Sequence, residues 1–141
     1  MDVQKYKNSV VGGLLAAGAF LNREGDRILR EFGLNQQQFV LLKEIQEKGP
    51  IRQKELCSGL LLEKSNVSKI VKKLTKTGLA LESKDNDDGR AAILNISSKG
   101  ERRIKNCMAV LNGWNEKWLE MIPEDELKTL ASLLRKLKRD A

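Results

Sequence analysis

Five lysines, at 64, 69, 72, 73 and 76, fall between Lys64 and Leu81 with no acidic residue among them. A solvated helix face normally mixes signs, so a run of one sign favours a polyanion, whose condensed counterions are released when lysines neutralise its phosphates. Ser65, Asn66 and Ser68 interleave with this run beside Lys69. Asparagine matches the N6/N7 edge of adenine and lysine the O6/N7 edge of guanine. Asn66 and Lys69, with Ser65 and Ser68 beside them, are therefore the candidate base readers, and Lys72, Lys73 and Lys76 the candidate backbone contacts. A further basic candidate is Arg90, which closes the turn-rich run Asp85-Asn86-Asp87-Asp88-Gly89-Arg90. It suits a minor groove. The competing reading is a surface ion pair in a hairpin, contributing about 0 to 1 kcal/mol.

Other chemistry is scarce. The 141 residues include no histidine and two cysteines. That removes Ser-His-Asp and Cys-His catalysis and imidazole metal sites, and two cysteines cannot complete a four-ligand zinc site. No metal and no cofactor are expected. An enzyme would rest on a carboxylate pair or a cysteine, and Glu63 with Asp87 or Asp88 makes no recognisable site. Cys57 and Cys107 both fall at apolar positions of helical segments, where a free cysteine ordinarily behaves as a small inert hydrophobe; a thiol switch needs a cationic neighbourhood, which only Arg102, Arg103 and Lys105 near Cys107 could supply. Met108, Trp114 and Trp118 fit two readings, an aromatic effector pocket and simple core or subunit contact.

The net charge of +7 is not spread evenly. Residues 1–51 hold seven basic and six acidic groups, 52–105 thirteen and seven, and 106–141 six and six, so six of the seven excess charges lie in the middle. A basic middle third favours nucleic acid as partner. The length suits one compact domain or two small intertwined ones, with a core large enough to dispense with disulfides. Lys5 and Lys7 ahead of the uncharged stretch 8–22 imitate a signal peptide. An amphipathic helix with one face in a subunit contact has the same content, and the stretch is short for a membrane span. The expectation is a soluble cytoplasmic protein with reduced thiols.

Periodicity supplies the elements that hold these residues. Val3, Tyr6, Val10, Leu14, Ala17, Leu21, Ile28, Leu29 and Phe32 step by three and four, predicting a long first helix. Its glycines are expected to allow close packing at 12–18 and a bend near 23–26. Asn35 with Gln38 predicts a capped helix from Gln36 to about Lys48, stopped by Gly49-Pro50. A short helix follows from about Gln53 to Gly59 or Leu60, then a third from Lys64 to about Thr77, with Val67, Ile70, Val71 and Leu74 inward and Gly78 as its stop. From Leu79 the period becomes two, and strands on either side of residues 85–90 predict a β-hairpin that must pack on the helices. A helix carrying Ile104 through Ile122 comes next. Pro123 then opens a last one, with Leu127, Leu130, Leu134 and Leu137 along a seam.

Helix, short helix, turn, basic helix and charged hairpin is the order of a winged helix-turn-helix, which can lay its second helix in the major groove. Gln38-Phe39, Gly49-Pro50, Gln53-Lys54-Glu55-Leu56, Lys64-Ser65-Asn66-Val67-Ser68-Lys69 leading to Leu74, Lys76-Thr77-Gly78-Leu79, and Asp88-Gly89-Arg90 through Ile96-Ser97-Ser98-Lys99-Gly100 resemble the MarR family of bacterial and archaeal transcription regulators. The resemblance implies a mainly α-helical fold with a small β-hairpin wing, built as a winged helix-turn-helix plus a helical dimerisation domain. Residues 34–99 would form the DNA-binding part, and 1–33 with 100–141 the dimerisation helices. It further implies a homodimer on a pseudo-palindromic operator in double-stranded DNA, acting as a repressor under a small amphipathic or phenolic effector, with Asp88 holding the wing arginine in place. Two residues depart from the family pattern: Glu63 where a small hydroxyl cap is usual, and Leu61 where glycine is common. A carboxylate at 63 suits the helix dipole but opposes a nearby phosphate. The alternative function is a winged-helix interaction module whose basic face meets RNA or an acidic protein.

Overall fold

Asp2 opens the first helix by accepting the backbone N–H of Gln4 at 2.9 Å, and α1 (Val3–Leu29) follows. The computed structural model describes residues 2–60 and 62–137, without the side chains of residues 57–60. Expectations for Cys57, Leu60 and Leu61 therefore lie outside the described residues. Within α1, Gly25 is buried, and a Cβ there would run into the side chain of Gln36. Gly12, Gly13 and Gly18 meet nothing within 4 Å among the described residues. The close approach falls at Gly25 because α1 passes the start of the next helix there, and Asp26 accepts the Gln36 N–H at 2.7 Å. A 3-10 turn, Arg30–Phe32, ends α1, and Gly33 (φ 73°) takes the left-handed conformation that reverses the chain.

Helix α2 (Gln36–Lys48) begins with the expected capping box: the Asn35 side chain accepts the Gln38 N–H at 2.8 Å, and the Gln38 side chain accepts the Asn35 N–H at 2.9 Å. A short strand, β1 (Ile51–Arg52), leads into α3 (Gln53–Leu60) and α4 (Lys64–Lys76), which Gly78 (φ 78°) terminates. Strands β2 (Ala80–Lys84) and β3 (Ala92–Ile96) form the hairpin in the register Ala80↔Ile96 to Lys84↔Ala92. The hairpin was expected alone, yet β1 pairs with the other side of β3, Ile51 opposite Leu94, giving an antiparallel sheet in the order β1-β3-β2. Two residues are too few to show a period, so only the pairing reveals this strand.

One core joins these elements. Leu29 from α1, Leu41, Leu42 and Ile45 from α2, Val67 and Leu74 from α4, Leu94 from β3 and Ile104 and Cys107 from α5 (Ser98–Trp118) lie buried together. Ser97 locks the end of α4 to the start of α5. Its hydroxyl faces the Gly78 carbonyl at 2.6 Å and that of Leu79 at 2.9 Å, and accepts the Gly100 N–H at 2.9 Å. Lys99 adds a bond from its ammonium to the Thr77 carbonyl, 2.7 Å. Gly100 is required here, since a Cβ would strike the Leu79 carbonyl.

The outer helices contrast with this centre. α5 ends at Trp118, a turn before the expected Ile122, and α6 (Glu124–Leu137) buries no residue. Residues 2–19 are exposed throughout. Among the described residues, no helix is long and apolar enough to cross a membrane.

Candidate nucleic-acid interface

Helix α4 sorts its side chains by angle. At about 100° per residue, Val67, Ile70, Val71 and Leu74 share one face, and all four are buried. The same geometry puts Ser65, Lys69, Lys72 and Lys76 along the middle of the opposite face, and all four are exposed. Asn66 and Lys73 lie on one flank of this strip and Lys64 and Ser68 on the other. Asn66 and Lys69 are thus neighbours one turn apart, as the base-reading expectation requires. Among the described residues, no α4 lysine has an ion-pair partner. Glu63 occupies the N-cap without making a side-chain cap bond. Ser68 is half-buried, and its hydroxyl accepts a bond from the Gln53 amide at 2.9 Å, which ties the start of α3 to α4.

The wing is held by its own aspartates. Asp85 accepts the Asp87 N–H at 2.9 Å and pairs with the Arg52 guanidinium from β1. The Asp87 N–H first, and the Arg52 charge with it, hold the Asp85 carboxyl below the usual aspartate range. Asp88, expected to hold the wing arginine in place, accepts the backbone N–H of Arg90 at 3.1 Å through its carboxylate. The guanidinium of Arg90 has no partner among the described residues and is exposed.

Wing, α3 and α4 enclose a groove of about 380 Å³. Arg52, Lys54, Lys64 and Arg90 line it against one carboxylate, Asp88, with Ser68 on its α4 wall. With Arg52 paired to Asp85, the three other cations around a groove of this size suit a sugar-phosphate backbone. Sequence reasoning missed Arg52 and Lys54 as members of this set, since their positions carry no periodic signal and only the β1–β3 pairing brings Arg52 beside the wing; Lys64 it placed in the lysine run of α4. Lys73 points elsewhere, into a second cleft that also contains Asp26, Arg30 and Asn35.

The three expected effector residues separate. Trp114 and Trp118 stack with Phe20 of α1, ring centroids 5.4 to 5.6 Å apart, and Arg23 sits 5.9 Å from the Phe20 ring. Met108 packs half-buried on the core, about 120° around α5 from Trp114 at the ordinary helical twist. A recess of about 440 Å³ between α1 and α5 is lined by Arg27, Ile28, Glu31, Val110 and Trp114. Cys107 is fully buried, and burial pushes its thiol up to about 11, which suits an inert core residue. Among the described residues, no group of three or more His, Cys, Asp or Glu could hold a metal ion.

Comparison with known proteins gives this geometry its context. The MarR family profile matches residues 34–92. The HTH-type transcriptional regulator BilQ of Clostridium symbiosum is 30% identical over 93 residues, 66% of this chain and 65% of that protein. FarR of Neisseria gonorrhoeae, another HTH-type transcriptional regulator, is 22% identical over 139 residues, 99% of this chain and 95% of its own length. The fold is that of the transcriptional regulator BldR from Sulfolobus solfataricus, with a TM-score of 0.86, 22% identity and coverage of 97% of this chain and 98% of that one. It is also that of S. aureus MepR in its DNA complex (TM-score 0.74, 15% identity, 92% and 94% covered). Rhodococcus jostii CouR, solved with p-coumaroyl-CoA, superposes with a TM-score of 0.79 at 19% identity over 90% of each chain. The basic α4 and the wing lie within residues 34–92, which match the MarR family, and the relatives that the chain resembles are HTH-type transcriptional regulators.

Proposed function

We propose that two copies of the chain form a cytoplasmic, sequence-specific repressor that a small amphipathic or phenolic effector releases from DNA. The observation that carries the DNA surface is α4: a strip of lysines without carboxylate partners among the described residues, running into the four-cation groove under the wing. Asn66 and Lys69 read bases, with Ser65 beside them and Ser68 on the groove side. Lys72, Lys73 and Lys76 meet the backbone, and Arg90 enters the minor groove on a loop whose backbone Asp88 fixes. Each good base pairing discriminates by about 1 to 3 kcal/mol.

The dimer rests on the outer helices. Leu130, Leu134 and Leu137 stand 42 to 49% exposed along one side of α6, and Val3, Tyr6, Val10 and Leu14 stand 43 to 58% exposed along α1. An apolar helical stripe open in one copy is buried when a second copy supplies the same stripe across a two-fold axis. Residues 1–33 and 100–141 are therefore the dimerisation part, and 34–99 the DNA-binding part. A two-fold dimer places its α4 helices about 34 to 36 Å apart on a pseudo-palindromic operator. The α1–α5 recess beside Trp114 is where the effector enters; CouR, solved with an aromatic thioester, supports that ligand class. The effector acts only through its differential affinity for the two spacings of α4.

Fluorescence anisotropy tests this reading, with a duplex from the upstream region of the protein's own gene and a scrambled duplex of equal composition, across a salt series. A preference of about 10³-fold or more and a steep log-log salt dependence are expected, with light scattering giving a dimer. Equal weak binding to both duplexes, or a monomer at working concentration, overturns it.

A further inference from the structure

We propose that Arg30 and Lys73 form a second phosphate seat at the corner between α1 and α2, on the DNA strand opposite the one that the wing-side groove meets. The proposal rests on the reading of α4 as the recognition helix. An α-helix with its side chains is about 10 to 12 Å across and the major groove about 12 Å wide, so a helix lying in it turns its two flanks toward the two sugar-phosphate strands. One flank of α4 is furnished already: Lys64 and Ser68 belong to the groove with Arg52, Lys54 and Arg90. Lys73 lies on the opposite flank, about 13.5 Å along the helix axis from Lys64 and about 7.5 Å from Ser68 at 1.5 Å per residue.

There it does not stand alone. Lys73 and Arg30 line a cleft of about 390 Å³ with Gly33, Asn35 and Gln38. Neither cation has a hydrogen-bond or ion-pair partner among the described residues. The acidic member of the cleft, Asp26, is already committed to the Gln36 N–H at 2.7 Å. Two free cations facing one occupied carboxylate leave a net positive seat, and Gly33 and the Asn35–Gln38 capping box fix the corner that carries Arg30. Sequence inspection does not reveal the pair, because the two residues lie on separate helical segments. Their clamp is indifferent to base identity, since it addresses phosphate alone.

The test is the salt dependence of anisotropy for the full chain with a mixed-sequence duplex, in Arg30→Gln, Lys73→Gln and the double variant, with circular dichroism melts to establish folding. Each cation that meets a phosphate contributes about 0.9 to the log-log slope, so the double variant is expected to flatten it by about 1.8 for every protomer bound. The loss is expected to be equal on mixed-sequence and operator duplexes. Asp26→Asn keeps the acceptor for Gln36 and is expected to strengthen binding, a sign that a purely structural role for Asp26 does not produce. A double variant with the wild-type slope, or an Asp26→Asn protein that binds more weakly, overturns the second seat; if Lys69→Gln still weakens binding, the recognition-helix reading survives. Wild-type protein that binds no duplex at low salt overturns both.

Discussion

The centre of the molecule and its two ends obey different rules. From Ile28 to Cys107 the chain buries its own apolar residues and satisfies its helix ends with its own side chains, as at Asn35 and Ser97. The N-terminal two-thirds of α1 and all of α6 have similar apolar periodicity and bury nothing within the chain. The lesson is that amphipathicity specifies a face and leaves its cover unspecified. At the centre the cover is intramolecular. At the ends, on the proposed dimer, it is the second copy, which would tie DNA binding to assembly while the centre keeps its fold.

Four substitutions or conditions break or sharpen this contrast. Leu74→Ala, in the fully buried centre, is expected to lower stability by about 2 to 5 kcal/mol, read as a fall in the denaturation midpoint. Were it to cost no more than an exposed site, the centre would not be self-contained. Next, Leu130→Glu with Leu134→Glu in α6 is expected to give a monomer by light scattering and to weaken operator binding by about 10²-fold, the loss of two-site engagement. Unfolding of the winged helix should shift by less than about 0.5 kcal/mol, as for other exposed positions. A dimer that survives the pair would place the interface elsewhere.

Ser97→Ala cuts the joint between centre and α5. It removes an N-cap and leaves the Gly100 N–H unpaired, with an expected cost of about 1 to 2 kcal/mol in chemical denaturation. The smallest effect lies in the wing. Because the folded structure lowers the Asp85 pKa, its contribution is complete above the unfolded value of about 3.9 and is lost as pH falls through the lower folded value. The protection factor of the Asp87 amide against exchange should fall over that acid range in the wild type and stay level in Asp85→Asn. Equal pH profiles for the two proteins would mean that the carboxylate does not hold the wing.

Local punctuation made much of the fold legible. The Asn35 and Gln38 pair, the stop at Gly78 and the turn formers at 85–90 act on neighbours in the chain, so residue type and spacing suffice to place α2, the end of α4 and the wing. The exposed basic face of α4 was legible for the same reason: one helix with buried positions 67, 70, 71 and 74 has only one face left for its lysines. The surroundings of the tryptophans were not, since Met108 and Trp114 share a helix but not a side of it, and Phe20 joins the tryptophans from another helix.

The sequence by itself thus determined the helices, the wing, the basic α4 face and the absence of imidazole chemistry, all of which follow from composition and local spacing. Only the tertiary structure decided that Arg52 anchors Asp85, that Gln53 holds Ser68, that Gly25 admits Gln36, and that Arg30 stands across a cleft from Lys73. These are meetings between residues far apart in the chain. Their partners are chosen by how the elements pack, and no periodicity along one segment records which other segment will lie against it.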